Sequence, residues 1–486
     1  MCVAVASFAC ASVAGAVDAT TGSTAGSDAA PLDSAAAPAA PAVPGSRPNN
    51  FFNYGVDVGV GYSDNITETQ TDKRSDEMFG VGVQLAGLDQ GARFQGAMLG
   101  DLEHVNYLQG TYSPEVIGNF AGYATYALVP DFLRWLAEDN FGQGVIDPFA
   151  TQTPGNLENI NTFTTGPTLT MPLGALTQMN VSARYTRVSY QTSPLDSNDY
   201  GAALSLTHLL SARSRFSLNV QDERYEYTDP INPSYDDREA FARYDIQGAR
   251  TRITVDGGYD QIHGEQLDSN GGLARLTVSR NVALDSVVSL SAGRDTSNSS
   301  TFLAQNQSVS GLGLGATSGR QTATPFVNEY ESLGWNFIRH RTTVTLSLSH
   351  YLQLYDGQTN LDQSMSSAQV RLTRVVYPGW TLGVFGDYTK VSFAQPLLIG
   401  NGNYNEEHGG MTVKWQMARK LALTFEYDHF NRDSDQAAFT YSENRVWVRL
   451  TYGTASPNGL AGGGSSDAAN LNVVNSDPFS IPTPSR

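Results

Sequence analysis

Between Phe51 and about Tyr452 the sequence alternates apolar and polar residues with a period of two, in run after run. A strand turns successive side chains to opposite faces, so this pattern predicts strands with one apolar and one polar face. In FNYGVDVGVGY, Tyr54, Val56, Val58, Val60 and Tyr62 share one face, and Gly55, Asp57, Gly59 and Gly61 the other. In ENRVWVRLTY, Val446, Val448, Leu450 and Tyr452 oppose Arg445, Trp447, Arg449 and Thr451. About twenty such runs can be marked. The first lies at 52–62, the second at 77–86, the nineteenth at 420–431 and the last at 439–452. Many exceed the roughly five or six residues of an ordinary globular strand. They suffice for a tilted crossing of a bilayer, whereas no stretch after residue 20 supplies the roughly 18 apolar residues of a membrane-crossing helix.

The connections between runs alternate in length. Long polar segments such as SDNITETQTDKRSDE, GQGVIDPFATQTPGNLE and the stretch 296–324 follow odd-numbered runs. Tight turns such as Val129-Pro130, Ser211-Ala212, His340 and Pro378-Gly379 follow even-numbered ones. The expected fold is therefore all-β: a transmembrane antiparallel up-and-down β-barrel of about 20 strands (roughly 18–22), with long extracellular loops and short periplasmic turns. Lipid offers no partner to a free strand edge, so the first and last strands must pair. Amphipathic rings should form a girdle at each interface. Trp135, Trp335, Trp380 and Trp415 fall toward the tight turns. Tyr190, Tyr225, Tyr227, Tyr259, Tyr355, Tyr388, Tyr404, Tyr427 and Tyr441 fall near the long loops.

The ends of the chain differ from this middle. Residues 1–16 read as a signal peptide, with Ala14-Gly15-Ala16 as a small-residue cleavage site. A lipoprotein reading at Cys10 lacks the aliphatic residue expected three positions earlier. Residues 17–50 form an Ala/Pro-rich linker, 51–453 the barrel, and 454–486 a Gly/Ser/Asn-rich tail, the linker and tail both expected to be disordered. Both cysteines, Cys2 and Cys10, precede the cleavage site, so the mature chain is expected to carry no thiol. The expected location is the outer membrane. The expected partners are its lipid and lipopolysaccharide and the barrel-assembly machinery, which the closing Val448-x-Leu450-x-Tyr452 resembles a signal for. Charged residues are only 16% and the net charge is −18, which argues against a nucleic-acid partner.

No catalytic constellation is found. The seven histidines lack metal-ligand spacing, and GxSxG, P-loop and HExxH patterns are absent. GLGLG at 311–315 has no helix behind it. Ser349-His350 cannot cooperate, because adjacent strand residues face opposite ways. No enzyme activity, cofactor or metal is expected.

With the apolar face toward lipid, the lumen receives Asp57, Arg134, Arg184, Glu239, Arg243, Asp245, Arg275, Arg371, Asp387, Lys414, Glu426, Asp428, Arg445, Trp447 and Arg449. These residues either bridge one another and stiffen the barrel or line a conduit that selects its solute. Inward-folded loops, particularly 143–158 and 296–324, are the expected constriction, since no plug domain is visible.

The opening strand with YSDNIT, and the stretch DFLRWLAEDNFGQGVIDPFATQTPGNLENINTFTTGPTL, resemble the outer-membrane β-barrel proteins associated with PEP-CTERM/exosortase and exopolysaccharide loci, and more widely the β-barrel porins. The resemblance covers most of residues 51–452. It implies a barrel acting in exopolysaccharide export, or in capsule or biofilm assembly, with a polysaccharide secretion complex as partner. On that reading Arg184, Arg243, Arg275, Arg371, Lys414, Arg445 and Arg449 would hold an anionic glycan, and Trp447 would stack on sugar rings. The alternatives are a diffusion porin for small solutes and a non-conducting surface scaffold or adhesin.

Overall fold

The computed structural model describes residues 50–264, 267–302, 321–355, 361–394 and 402–454. The expected signal peptide, linker and tail lie outside them, apart from the first and last residues of the described range. Ten strands make up the first half: β1 (Phe51–Ser63), β2 (Asp76–Gln90), β3 (Phe94–Tyr107), β4 (Glu115–Val129), β5 (Leu133–Val145), β6 (Leu157–Pro172), β7 (Thr177–Tyr190), β8 (Ser197–Ser211), β9 (Ser214–Tyr227) and β10 (Tyr235–Gln247). Ten more complete it: β11 (Thr251–Gly264), β12 (Asp268–Ala283), β13 (Ser286–Ser297), β14 (Phe326–Arg339), β15 (Thr342–Leu354), β16 (Gln363–Tyr377), β17 (Trp380–Phe393), β18 (Tyr404–Ala418), β19 (Leu421–Ser434) and β20 (Tyr441–Gly453).

Each strand pairs antiparallel with its neighbours in sequence, and β1 pairs with β20, from Gly55↔Gly453 to Ser63↔Arg445. The sheet is thus a closed 20-stranded up-and-down barrel with no edge left unpaired. Connections at one end have two to four residues. Pro378-Gly379 shows why such turns close: proline presets the first corner, and Gly379, at φ +84°, takes the left-handed second one. Those at the other end run from three residues at 265–267 to the stretch 298–325.

Alternation becomes a radial division. Val56, Val58 and Val60 face outward and are exposed, while Asp57 between them is 2% exposed. The same division holds for Leu218 and Val220 against Asn219 and Gln221. Apolar side chains cover the outside, and polar and charged ones fill the inside. Trp135, Trp335, Trp380 and Trp415 stand on the outer face of their strands near the tight turns, and the last two stack at 5.4 Å.

The tyrosines at the long-loop end depart from the expected girdle. Tyr259 and Tyr388 face outward and exposed, with Tyr427 half-buried on the same outer face, but Tyr225, Tyr355, Tyr404 and Tyr441 are buried on the inside. Tyr190 and Tyr227 share the parity of these inward residues. Their position along the strand suggested an interface, but their parity sets the face, and it is the polar one.

Candidate functional site: the lumen and its mouth

All fifteen lumen residues named from the sequence lie on the inner face, and the structure gives most of them a protein partner. Arg243 on β10 holds Asp256 on β11 through two parallel hydrogen bonds of 2.8 Å, both side chains almost wholly buried. Arg275 on β12 bridges Glu239 at 3.0 Å and Asp295 at 2.7 Å. Both guanidinium groups sit 5.6 Å from the Phe241 ring. Toward the tight turns, Asp245 accepts hydrogen bonds from Arg215 and Thr254. Buried guanidinium–carboxylate forks of this kind fix the inner wall, because neither charge can be left alone without large cost.

On the opposite wall Arg449 reaches Glu426 at 2.7 Å and Glu103 at 3.1 Å. Glu103 is on β3, three strands around from β20, and the glycines between explain the reach. Gly59 and Gly61 of β1 and Gly80 and Gly82 of β2 bring no side chain to the inner face, so their neighbours lie flat across it. A Cβ at Gly61 would meet the Trp447 ring at 2.7 Å, and one at Gly82 the Asp57 carboxylate at 2.6 Å. Trp447 is buried beneath Arg449, whose guanidinium lies 4.2 Å above its ring, and packs with Ile66, Met78, Val105 and Tyr107. It is therefore covered, and not open to stack on a sugar as the sequence suggested.

Nearer the mouth, Arg445 pairs with Glu443 at 2.9 Å and lies 5.1 Å from the Phe430 ring. His408 stands between Asp387 and Asp428, at 3.4 and 3.2 Å, and stacks on Phe430 at 4.1 Å. Arg371 lies 5.1 Å from the Phe385 ring. Arg184 has another task. It donates to the carbonyls of Pro167 and Ala183 and to the Thr168 hydroxyl. This clamps the place where the β6–β7 ladder lapses at Gly166 and Pro167, between Thr165↔Tyr185 and Thr168↔Ser182, with its register unchanged. Two cations remain: Arg134 is half-buried near the tight turns, and Lys414 is 6% exposed. Neither makes an ion pair or hydrogen bond among the described residues.

Described loops cross the mouth at the long-loop end. The β5–β6 connection, 146–156, is drawn into a compact shape by Asn156, whose amide bonds Asp147 and Thr151. It crosses to the far wall. There the Phe149 ring packs 4.6 Å from Phe393 of β17, its carbonyl accepts from Arg432 of β19 at 2.9 Å, and Gln152 donates to Glu406 of β18. Gly402 has room for that ring only because it lacks a Cβ, which would lie 2.6 Å from Phe149. From the other side, Tyr227 donates to the Ala323 carbonyl, and Gln321 lies against Gly144. Phe302 joins Phe326, Tyr330, Tyr351 and Tyr355 in an aromatic cluster below. The expected inward loops are thus seen at 146–156 and at 298–302 with 321–325; residues 303–320, including GLGLG, lie outside the described residues. The β1–β2 loop adds Ile66 and Glu68, both buried. Burial, with Glu443 and Glu406 nearby, pushes the Glu68 carboxyl up to about 8.

Several partners were not singled out from the sequence. Glu103, Asp256 and Asp295 carried a signal, since they share the polar parity of their strands. Arg432 was lost because the nineteenth run was ended at 431, whereas β19 continues to Ser434. Phe149 lies in a loop, where no periodicity points to it.

No protein-family model matches the chain, and no curated protein matches it. Among solved structures the chain is similar to the FrpB iron transporter from Neisseria meningitidis, at 11% identity and a TM-score of 0.45, covering 82% of each chain. It is also similar to the ferric enterobactin receptor PfeA from Pseudomonas aeruginosa, at 10% identity and a TM-score of 0.43, covering 83% of this chain and 80% of that one. A third likeness is to OccK2 from Pseudomonas aeruginosa, at 12% identity and a TM-score of 0.35, covering 83% and 98%. At such identities the barrel rests on its own strand pairing, described above.

Proposed function

We propose that the chain is an outer-membrane β-barrel channel for polar solutes, its long-loop mouth crossed by the β5–β6 connection. The observation that carries this reading is the β5–β6 connection crossing the mouth above a charged lumen, inside an apolar outer wall. An apolar exterior over a polar interior, with every backbone edge paired, suits hydrocarbon outside and water within. At about twenty strands a barrel interior is too wide for wall side chains alone to fill, so inward loops set its bore.

Export of an exopolysaccharide, which the resemblance implies, is the second reading. Lys414, buried inward without an anion, is the observation in its favour. Against it, Arg243, Arg275, Arg445 and Arg449 would each have to exchange a protein carboxylate for one on the glycan.

Planar-bilayer recording tests both. Removing residues 148–153 should raise single-channel conductance several-fold over the native chain, and Phe149→Ala should raise the fraction of time open. Equal conductance in the shortened and native chains would sink the constriction. Block by a polygalacturonate oligomer, weakened in Lys414→Gln, would favour the export reading over the first.

A further inference from the structure

The inner wall of β8, β9 and β10 carries three carboxylates that the ion-pair network leaves out. Glu223 and Asp237 are direct cross-strand partners on the inner face, and Asp199 lies one strand further round, opposite Tyr225. All three are at most 6% exposed. Like charges facing each other across a strand pair are ordinarily avoided. Several other acids of this lumen meet arginine, Asp256 with Arg243 and Glu239 and Asp295 with Arg275, while Asp57 and Asp260 are buried without an ion pair among the described residues. Asp199, Glu223 and Asp237 form no ion pair among the described residues.

The hydrogen-bonding inventory of this wall leans toward acceptors, although the Tyr235 hydroxyl also meets no partner and Asp199 is hydrogen-bonded to Ser197. Glu223 accepts from the Tyr225 hydroxyl at 2.9 Å, but one oxygen each of Asp199 and Asp237 meets no donor. Gln221, two residues along the same inner face from Glu223 and 4% exposed, also holds its amide oxygen without a donor. These are acceptors in want of N–H or O–H groups, and buried acceptors are costly until they find them. The Tyr225 and Tyr235 rings stack on each other at 4.8 Å and are buried on the mouth side of Glu223 and Asp237, with Tyr225 level with Asp199. Among the described residues no group of three His, Cys, Asp or Glu is arranged to hold a metal ion. The complement to dispersed carboxylates and an amide oxygen is a larger cation with several directed donors.

We propose that Asp199, Glu223 and Asp237, beside the Tyr225–Tyr235 pair, form a recognition site for an organic cation, an amine or guanidine-bearing solute. The proposal rests on the channel reading and names its solute class. One cationic group donates to the facing Glu223 and Asp237, and a second donor of the same solute reaches Asp199.

The test is calorimetric titration of spermidine into the full-length chain in detergent micelles, with a neutral polyol of similar size as control. Saturable binding of spermidine alone is expected. Glu223→Gln with Asp237→Asn should weaken it by about tenfold or more, the scale of lost hydrogen bonds to a charge. Asp199→Asn alone should weaken it by a smaller factor. Asp222→Asn, on the exposed outer face, should leave it unchanged. Circular dichroism confirms native strand content in each variant. Absence of saturable binding to the native chain, equal affinity in the double variant, or equally tight polyol binding would overturn the site. Bilayer conductance of the same preparation separates the two ideas. Conductance without spermidine binding overturns the site and leaves the channel; binding without conductance does the reverse.

Discussion

Asp256 and Arg243 are held as buried charges by their shared fork. Asp256→Ala would leave the buried Arg243 guanidinium without its carboxylate fork. The expected loss is about 3–5 kcal/mol, more than the intact pair itself contributes. Thermal or denaturant unfolding in micelles checks it. Replacing both residues by apolar ones of similar volume should restore most of the loss. Glu68 supplies a pH dependence. Its folded carboxyl titrates near 8 and its unfolded one near 4.5, so folding favours the protonated form. The β1–β2 loop should be most firmly seated below the unfolded value, lose stability as pH rises toward 8, and stay weakened above it. Proteolytic nicking within 64–75 should increase across that window in the native chain, and Glu68→Gln should flatten the rise. At this scale the sequence showed which residues face inward, because parity does so. It did not show who meets whom. Arg449 and Glu103 are 346 positions apart, and their contact depends on a register and on two glycine-bearing strands between them.

The strands themselves could be marked almost to their ends, since each carries its own alternation and its own turn residues. The errors fell where that signal lapses. β2 runs on to Gln90 through Gly87 and Leu88, and β19 runs on through Arg432. β6 hides an irregularity, because Gly166-Pro167 interrupts its ladder. A Cβ at Gly166 would lie 2.0 Å from the Ala183 carbonyl oxygen, and Pro167 has no N–H to give. Arg184 satisfies the carbonyls this leaves. Arg184→Ala should therefore cost about 1–3 kcal/mol through unpaired buried acceptors, and hydrogen exchange should quicken at β6–β7 before the rest of the wall. No effect on exchange there would show that the clamp is idle. The mouth connections stayed hidden for another reason. Loop 146–156 is held by Asn156 inside and by β17, β18 and β19 outside, and neither kind of contact leaves a period in the chain.

For the molecule as a whole, the outer surface is the feature that decides its solvent. Val58 stands outward in the middle of β1, 46% exposed, while Leu284 stands at a tight turn with its side chain wholly free. Val58→Lys should cost about 2–4 kcal/mol in a bilayer and Leu284→Lys almost nothing. Reversible unfolding in lipid vesicles measures both. Equal costs at the two positions would place the hydrocarbon elsewhere. Net negative charge, closure of the sheet and a two-ended loop pattern were all readable beforehand, being properties of composition and period. The solute was not, since it depends on which inward charges are already spent on one another.

The flat strip of glycines under Trp447 and Arg449 has a bearing on how the molecule is made. It sits where the first strand to leave the ribosome must greet the last. The Arg449–Glu103 bridge laid over it works like the tab of a zip, so that until β20 arrives there is a curled ribbon with two raw hems. A chain stopped short of residue 441 would lack both tab and hem, and is expected to leave β1 unpaired and to be cleaved by added protease faster than the full chain.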